Sequence, residues 1–235
     1  MCETCGCGTA NEAHHHHHEH AHNHGHAHTK TVTLEQKVLA QNDVLADKNR
    51  TWLADRGVTA INLISAPGSG KTLLLEKTLE QLRGRIKCAV ITGDQQTDRD
   101  AQRLQGKGAA IHQIETISSC HLDAHQVSHA LEHVIEEDTK LLFIENVGNM
   151  VCPTAFDLGE SFKVALLSTP EGEDKPIKYP VLYAISKVIL LTKMDLAETL
   201  EWDLTACRSY IQQVQPGANV LELSARTGDG MDAWI

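Results

Sequence analysis

Apolar positions fall into two rhythms along this chain. Over residues 33–55 they recur at helical spacing, at Leu34, Val38, Leu39, Val44, Leu45, Trp52 and Leu53. That period predicts a helix ahead of the main fold. From Thr59 onward, short apolar runs alternate with helical stretches. The runs predict strands over Thr59–Ile64, Ile86–Thr92, Lys140–Val147, Lys163–Ser168, Val188–Thr192 and Asn219–Leu223. Between them, helices are predicted over Thr72–Leu82, Asp98–Gln105, Leu122–Glu136 and Trp202–Val214. Runs such as Leu141-Leu142-Phe143-Ile144 and Val188-Ile189-Leu190-Leu191 have no polar face. Such strands are covered by helices on both sides. The expected fold class is α/β: a doubly wound, mostly parallel sheet with helices on both faces and its ligand at the carboxyl ends of the strands. Residues 169–180, with Pro170, Gly172, Pro176 and Pro180, read as an exposed connector, and Met231–Ile235 as the opening turn of a helix.

Residues 1–30 break this pattern. They hold almost no apolar side chains, so burial cannot offset the entropy of ordering them. We expect a disordered, metal-rich tail over 1–30 and one folded domain with its leading helix over 31–235. Ten of the 15 histidines lie between His14 and His28, and Cys2, Cys5 and Cys7 precede them. A five-histidine run resembles a purification tag. Its continuation as His20, His22, His24, His26 and His28 behind a cysteine cluster reads as native.

The formal net charge of −10 argues against a nucleic-acid surface. No apolar run approaches the ~18 residues that read as a membrane-spanning helix. Met1-Cys2-Glu3-Thr4-Cys5 lacks the basic and apolar regions of a secretory signal. A cytoplasmic location is the expectation. Seven cysteines in a reducing compartment point to metal chemistry more than to disulfides.

Behind the first strand stands Ser65-Ala66-Pro67-Gly68-Ser69-Gly70-Lys71-Thr72. This is a phosphate-binding loop between strand and helix, and it names the ligand class: a nucleoside triphosphate with Mg²⁺. Gly68 and Gly70 let the backbone wrap phosphates, with the N–H groups of Ser69 and its neighbours pointing inward. The helix from Thr72 offers its positive end to the anion. Lys71 can reach the β- and γ-phosphates, and the Thr72 hydroxyl can ligate Mg²⁺. The usual first glycine is Ser65 here, at a position that only opens the turn.

Thr192-Lys193-Met194-Asp195 follows a strand and resembles the N-K-x-D element of GTPases. There a carboxylate, here Asp195, accepts hydrogen bonds from the guanine N1–H and 2-amino group, and the stem of Lys193 stacks on the ring. Thr192 in place of Asn removes an amide that braces this loop. Ser224-Ala225-Arg226 resembles the S-A-[KR] loop that closes over guanine. Gly93-Asp94 and Glu145-Asn146-Val147-Gly148-Asn149 supply acids at strand ends. Asp94 and Glu145 are candidates for Mg²⁺ contact or for orienting the attacking water, with an ordinary strand-end cap as the alternative. The backbone N–H of Gly148 could sense the γ-phosphate.

Three metal stations are legible. Cys2, Cys5 and Cys7 can wrap one soft or borderline divalent ion, or be no more than an oxidisable tail. The histidine tract suits Ni²⁺, Cu²⁺ and Zn²⁺ in weak, exchanging sites, or serves only for solubility. Cys120-His121 and Cys152 lie in the core, and an ion shared by them would be tied mechanically to Gly148. His121, His125, His129 and His133 follow one another at i, i+4 spacing on one helical face, as a continuation of the metal path or as a solvated polar stripe. Cys88 and Cys207 read as packed small hydrophobes.

These motifs taken together resemble the hydrogenase nickel-incorporation GTPases of the HypB type. The resemblance rests on C-x-x-C-G-C, the histidine tract, S-A-P-G-S-G-K-T, G-D-Q-x-T-x-x-D, C-H-L-D, E-N-V-G-N-x-V-C-P and T-K-x-D, and it covers nearly the whole chain. It implies a P-loop fold of the signal-recognition and MinD-like class that homodimerises with GTP bound and uses hydrolysis to GDP to time metal delivery. It implies that Ni²⁺ passes to the large subunit of [NiFe]-hydrogenase with a small zinc-containing HypA-type partner. By motif, Cys2, Cys5 and Cys7 match the high-affinity nickel site. Cys120, His121 and Cys152 match a Ni²⁺/Zn²⁺ site at the dimer interface. Hydrolysis is expected to be slow, since no arginine finger stands out. Two further readings stay open: metal storage with the nucleotide domain as a dimer switch, and the urease-type nickel GTPase. The C-x-x-C-G-C start and E-N-V-G-N-x-V-C-P argue against the last.

Overall fold

A computed structural model describes residues 25–94, 99–116 and 120–235; the side chains of 25–33, Glu35, Asp94 and Arg99 lie outside that description. Among the described residues, the strands are β1 (Thr59–Ser65), β2 (Cys88–Asp94), β3 (Ala109–Glu115), β4 (Leu141–Glu145), β5 (Phe162–Ser168), β6 (Ser186–Thr192) and β7 (Asn219–Glu222). The helices are α1 (Gly25–Asp55), α2 (Lys71–Leu82), α3 (Arg99–Leu104), α4 (Ala124–Val134), α5 (Cys152–Ala155), α6 (Lys175–Lys178), α7 (Pro180–Ile185), α8 (Leu204–Val214) and α9 (Met231–Trp234). None of the described helices is long and apolar enough to cross a membrane.

The strands form one sheet in the order β3-β2-β4-β1-β5-β6-β7, and every pairing is parallel. Consecutive residues feed opposite faces. Leu63, Val90 and Phe143 pack on one side with Leu74, Leu75 and Leu79 of α2. Ile91 and Ile144 pack on the other with Val127 and Leu131 of α4. Farther along, Ile189 and Leu191 meet Leu182, Tyr183 and Ile211 from α7 and α8. The expected doubly wound sheet, buried on both faces, is the fold observed. Because all strands run the same way, the loops that follow them emerge at one edge.

Local chemistry sets the helix starts. α4 begins at Ala124 because Asp123 accepts from the Gln126 backbone N–H at 2.8 Å while the Gln126 side chain accepts from the Asp123 N–H at 3.1 Å. That reciprocal cap satisfies two of the helix's orphan donors. Its buried side, Val127, Ala130, Leu131 and Val134, has the i, i+3, i+4, i+7 spacing of one face. The C-terminal turn α9 is held by Trp234, whose indole N–H donates to Thr78 Oγ1 at 2.8 Å.

Three differences from the sequence reading have physical causes. β3 is absent from that reading: it is a half-buried edge strand carrying His112 and Gln113, so it lacks an apolar run. Residues 169–180 are not a plain exposed connector, since Thr169–Glu171 forms a 3₁₀ turn, α6 follows, and Thr169 and Pro176 are buried. The third concerns α1, which starts at Gly25, inside the stretch read as tail. Of its predicted apolar positions Leu53 is buried and Leu39, Leu45 and Trp52 are half-buried, but Leu34 is 64% exposed, and Val38 and Val44 are exposed too. The buried stripe is Asn42, Ala46, Asn49 and Leu53. Asn42 donates to Asp157 O at 2.8 Å and accepts from the Ala124 N–H at 2.9 Å. Asn49 donates to Ala124 O at 2.8 Å and Leu158 O at 3.1 Å. Arg50 pairs with the Asp157 carboxylate. Gly159, at φ +90°, is required where the helix crosses: a Cβ there would stand 2.6 Å from Ala46 O. α1 is thus held by polar side chains gripping backbone as well as by Leu53 and Trp52 in the core.

Asn49 is 3% exposed, so Asn49→Ala strands two buried carbonyls. The expected loss is about 2 kcal/mol of unfolding free energy with an unchanged denaturant slope, read by urea titration. A loss under about 0.5 kcal/mol would mean that water replaces the amide without penalty.

Candidate nucleotide cleft and metal site

The loop after β1 has the geometry that phosphate binding needs. Gly68 and Gly70 sit at φ +75° and +96°, left-handed backbone that glycine adopts without strain. Lys71 and Thr72 open α2 and are buried. Lys71 Nζ donates to Ser65 Oγ at 2.8 Å. Ser65 therefore does more than open the turn: its hydroxyl, at a position where glycine is usual, orients the lysine. Ser69 is held beneath by Ala66 O at 2.8 Å and by Glu171 at 2.7 Å. A cavity of about 410 Å³ covers this loop and is lined also by Gly93, Asp100, Arg103, Glu145, Asn146 and Gly148. Asp100 closes the G-D-Q-x-T-x-x-D motif, which gave it no role of its own. Arg103 is a further α3 residue that the sequence reading missed. It is tied to Glu76 at 3.1 Å, and its sole sequence signal is its place one turn beyond that motif.

Glu145 ends β4, 4% exposed. Its Oε1 accepts from the Thr72 hydroxyl at 2.7 Å, and its Oε2 is buried with no hydrogen-bond partner among the described residues. Burial pushes its pKa up to about 7, against the pull of Lys71 and the Thr72 hydrogen bond. An orphaned carboxylate oxygen beside a threonine hydroxyl is a hard-oxygen donor set that fits Mg²⁺, which takes one or two carboxylates together with phosphate oxygens. Asp94 ends β2; its carboxylate, with Thr97 and Asp98, lies outside the described residues.

A second cavity, of about 290 Å³, adjoins the first at Gly70 and Leu73. Lys193, Asp195, Ser224, Ala225 and Arg226 line it, so the three loops expected around a base do meet. Thr192 keeps a brace despite the replacement of Asn: its hydroxyl donates to Ser69 O at 2.9 Å. Lys193 adopts φ +58°, a left-handed conformation that is strained for a non-glycine residue. Thr169 Oγ1 donates to Lys193 O at 3.0 Å and Lys193 Nζ to Gly68 O at 2.7 Å. Thr169 and Glu171 escape the sequence reading because they fall in the stretch that reads as connector.

The core metal station also assembles. One ligand atom each from Cys120, His121 and Cys152 lies within 4.8 Å of the others, and Cys120 Sγ is 3.7 Å from His121 Nδ1. The His121 ring stacks on Phe156 at 3.8 Å between centroids. Burial lowers its pKa, which favours the neutral, ligating imidazole. Two thiols and one imidazole suit a borderline divalent ion and, among the described residues, leave a fourth position open. Cys88 and Cys207 are buried, with thiols pushed up by burial to about 11 and about 12, as expected of packed hydrophobes. Cys2, Cys5, Cys7 and the histidines up to His24 lie outside the described residues.

One segment joins the two places. At Gly148, a Cβ would stand 2.9 Å from Pro67 Cα, so this glycine lets the segment lie against the phosphate loop. Asn146 Oδ1 accepts from the Leu122 N–H at 3.3 Å, and Asn149 donates to Cys120 O at 3.3 Å. Three residues later stands Cys152. Residues 145–149 therefore touch Thr72 and Pro67 on one side and the Cys120–Leu122 loop on the other, and lead into Cys152.

The CobW/HypB/UreG nucleotide-binding domain matches residues 59–222. Hydrogenase maturation factor HypB of Azotobacter vinelandii is 50% identical over 202 residues, 86% of this chain and 67% of the relative. This chain thus spans about two thirds of that protein's length. A relative from Helicobacter hepaticus, named a hydrogenase/urease maturation factor HypB, is 42% identical over 193 residues, 80% of this chain and 78% of the relative. Among solved structures, HypB of Archaeoglobus fulgidus superposes with TM-score 0.78 at 38% identity, covering 83% of this chain and 95% of that one. HypB of Helicobacter pylori in complex with nickel gives 0.79 at 34%, covering 83% and 91%. FtsY of Mycoplasma mycoides, 16% identical at TM-score 0.54 over 74% of this chain and 62% of that one, shares the fold alone.

The raised Glu145 pKa has a thermodynamic consequence. A folded state that binds this proton more tightly than the unfolded chain loses stability as pH rises from the ordinary 4.5 through about 7. In nucleotide-free protein, Glu145→Gln should remove about 3 kcal/mol of that decline, measured as the mutant-minus-wild-type unfolding free energy between about pH 4 and pH 8. Parallel pH curves for the two proteins would place the proton elsewhere.

Proposed function

The chain belongs to the CobW/HypB/UreG family, and we propose that it is a GTP-hydrolysing nickel metallochaperone acting in [NiFe]-hydrogenase maturation. The observation that carries this is segment 145–152, which contacts the phosphate loop through Glu145 and Gly148 and carries Cys152 of the metal station. In this reading Gly68, Ser69, Gly70, Lys71 and Thr72 hold the phosphates. Lys71 offsets charge on the γ-phosphate as water attacks in line. Thr72 and Glu145, with Asp94, would hold Mg²⁺, which when bound offsets charge across the phosphates. Asp195 and Lys193 select guanine, and Ser224 and Ala225 close over it. Gly148 follows the γ-phosphate and pulls Cys152 with it. Ni²⁺ is the cargo at Cys120, His121 and Cys152, with Zn²⁺ its competitor. Cys2, Cys5, Cys7 and the histidine tract form a tail over 1–30 that gathers nickel ahead of the domain over 31–235.

The same reading carries four further proposals. Hydrolysis is slow, the Arg103 guanidinium being engaged by Glu76. The GTP state is a homodimer. A HypA-type protein and the hydrogenase large subunit are the partners. The setting is the cytoplasm. The name borne by the Azotobacter vinelandii relative, and the nickel complex of the Helicobacter pylori protein, support the client and the cargo. The double name of the Helicobacter hepaticus relative makes urease the second client to test.

Asp195→Asn replaces an acceptor of two guanine N–H bonds by an amide that presents a donor. GTP affinity should fall about 10- to 100-fold, the worth of one charge-assisted hydrogen bond, with ATP binding unchanged. An equal loss of both nucleotides would mean that Asp195 shapes the loop without reading the base.

Nickel binding by wild type and by Cys120→Ala, each with GDP and with a non-hydrolysable GTP analogue, tests the coupling. The expected result is a nickel affinity that changes about 10-fold with nucleotide in wild type and ignores nucleotide in the variant. An affinity indifferent to nucleotide in both would make the core metal structural and leave the tail as the cargo carrier.

A further inference from the structure

The loops that follow β1, β5 and β6 leave three adjacent strands, and the middle loop touches both of its neighbours. In the 3₁₀ turn after β5, Glu171 Oε1 accepts from the Ser69 hydroxyl of the phosphate loop at 2.7 Å. The same oxygen accepts from the Ser168 N–H at 2.9 Å and from the Ser168 hydroxyl at 2.7 Å. Two residues before Glu171, Thr169 Oγ1 donates to Lys193 O of the base loop at 3.0 Å. Base loop and phosphate loop also meet directly, because Thr192 Oγ1 donates to Ser69 O. The contacts close a ring that runs through Ser69, Glu171, Thr169, Lys193 and Thr192. We propose that Glu171 and Thr169 are positioning residues for the nucleotide: Glu171 fixes the phosphate loop, Thr169 fixes the base loop, and the turn between them sets the spacing at which a base and its phosphates are accepted together.

The two contacts act on different parts of the ligand. Ser69, Ser168 and Thr169 are buried, so water competes poorly for their hydroxyls. The Ser69 hydroxyl also lies 2.8 Å from Ala66 O. It has one proton to give, and a carboxylate accepts more strongly than a neutral carbonyl. That proton ties the phosphate loop to Glu171, whose anchor Ser168 stands opposite Thr192 in the β5–β6 register. The Thr169 bond answers a strain. Lys193 sits at φ +58°, and a non-glycine residue stays there only when its surroundings over-determine it. The peptide plane between Lys193 and Met194 is gripped at both ends: its oxygen accepts from Thr169, and its N–H donates to Leu223 O at 3.2 Å. The same oxygen accepts from the Leu196 N–H at 2.9 Å, which closes the turn that carries Asp195. Without the Thr169 hydroxyl the plane is freer to rotate, and Asp195 moves with it. The effect on the base rests on the reading of Asp195 as the residue that selects guanine; the effect on the phosphates rests on the phosphate loop alone.

The test is the affinity of the full-length chain for GDP and for ADP, measured by titration calorimetry, together with the urea midpoint of each variant. Thr169→Val keeps the shape of the side chain and removes the donor. It should lower GDP affinity about 10-fold, the worth of one buried hydrogen bond, and leave ADP affinity as it was. Thr169→Ser keeps the hydroxyl and should restore the preference for GDP. Glu171→Gln keeps an acceptor oxygen and removes the charge, so it should lower both affinities by the same factor, about fivefold. A purely structural role would move the urea midpoint and leave the ratio of GDP to ADP affinity untouched in every variant. An unchanged ratio in Thr169→Val, in a wild type that prefers GDP, overturns the role of Thr169 and leaves the guanine reading standing. Equal binding of GDP and ADP by wild type overturns the guanine reading and the role of Thr169 with it. Unchanged affinities in Glu171→Gln, or a loss confined to one nucleotide, overturn the role of Glu171.

Discussion

The parallel pairing of β1 with β4 is the constraint on which the rest depends. Its register sets Leu63 opposite Glu145, so the two strands end side by side and their loops must share space. The phosphate loop leaves β1 just where the 145–149 segment leaves β4. Crowding between them admits only glycine at Gly148, against Pro67. A carboxylate that would ordinarily face water is driven under the phosphate loop, where burial raises its pKa and Thr72 becomes its partner. The site is costly in the unliganded fold because it buries Lys71 and Glu145 together while leaving one carboxylate oxygen without a partner among the described residues. A cation and a polyanion would relieve that cost, which makes the strain a source of ligand affinity.

Beside the cleft runs a second system made of buried amides. Glu160 accepts from Asn62 at 3.2 Å, Asn62 accepts from Asn146 at 3.3 Å, and Asn146 accepts from the Leu122 N–H. Glu160 is also paired with Lys163 at 2.5 Å. This relay crosses from the 157–160 loop through β1 to the loop that carries Cys120 and His121. α1 grips the same two loops from outside through Asn42, Asn49 and Arg50. Directional bonds of this kind fix position better than apolar contact does, since a small slip breaks them outright. The two segments that bring metal ligands together are thereby held to one scaffold, and that scaffold continues upstream into α1, which begins within the cysteine- and histidine-rich stretch.

The chain is most legible where one residue type answers one physical demand. Glycines at left-handed positions, a lysine and threonine opening a helix, and acids at strand ends mark the cleft. Cys120, His121 and Cys152, distant in sequence, group by their ligand chemistry and by Cys152 following Gly148, and the geometry unites them. Legibility fails where a residue's partner is backbone. Asn42 and Asn49 look like solvent-facing positions because nothing in the sequence announces the carbonyls they bind. Apolar spacing therefore selects Leu34, Val38 and Val44 together with Leu39, Leu45, Trp52 and Leu53 as the buried side of α1; the last four are half-buried or buried, and the first three are exposed. β3 escapes because an edge strand needs only a half-apolar pattern. Ser65 and Thr192 depart from the usual motifs, yet each hydroxyl makes a hydrogen bond that holds the loop, with Lys71 and with Ser69. A motif records the usual solution to a geometric need, and a different side chain can meet the same need.

The contacts of residues 145–152 also limit what any coupling between the two places can be. If this segment has two arrangements and the nucleotide favours one, then the ion at Cys120, His121 and Cys152 must favour the same or the opposite one by its own contacts, through Cys152 and through Asn149 to Cys120. Linkage then works in both directions: whatever factor the triphosphate applies to metal affinity, the metal applies to triphosphate affinity. An ion held equally well in both arrangements would shift nothing, however tightly it bound. Coupling therefore requires the ligand set to be imperfect in one state. Three protein ligands with an open fourth position can meet that requirement, because losing the reach of Cys152 would leave only the adjacent Cys120 and His121. A closed four-ligand site on rigid strands could not. In the proposed delivery reading, a core station with three ligands among the described residues is suited to letting an ion go.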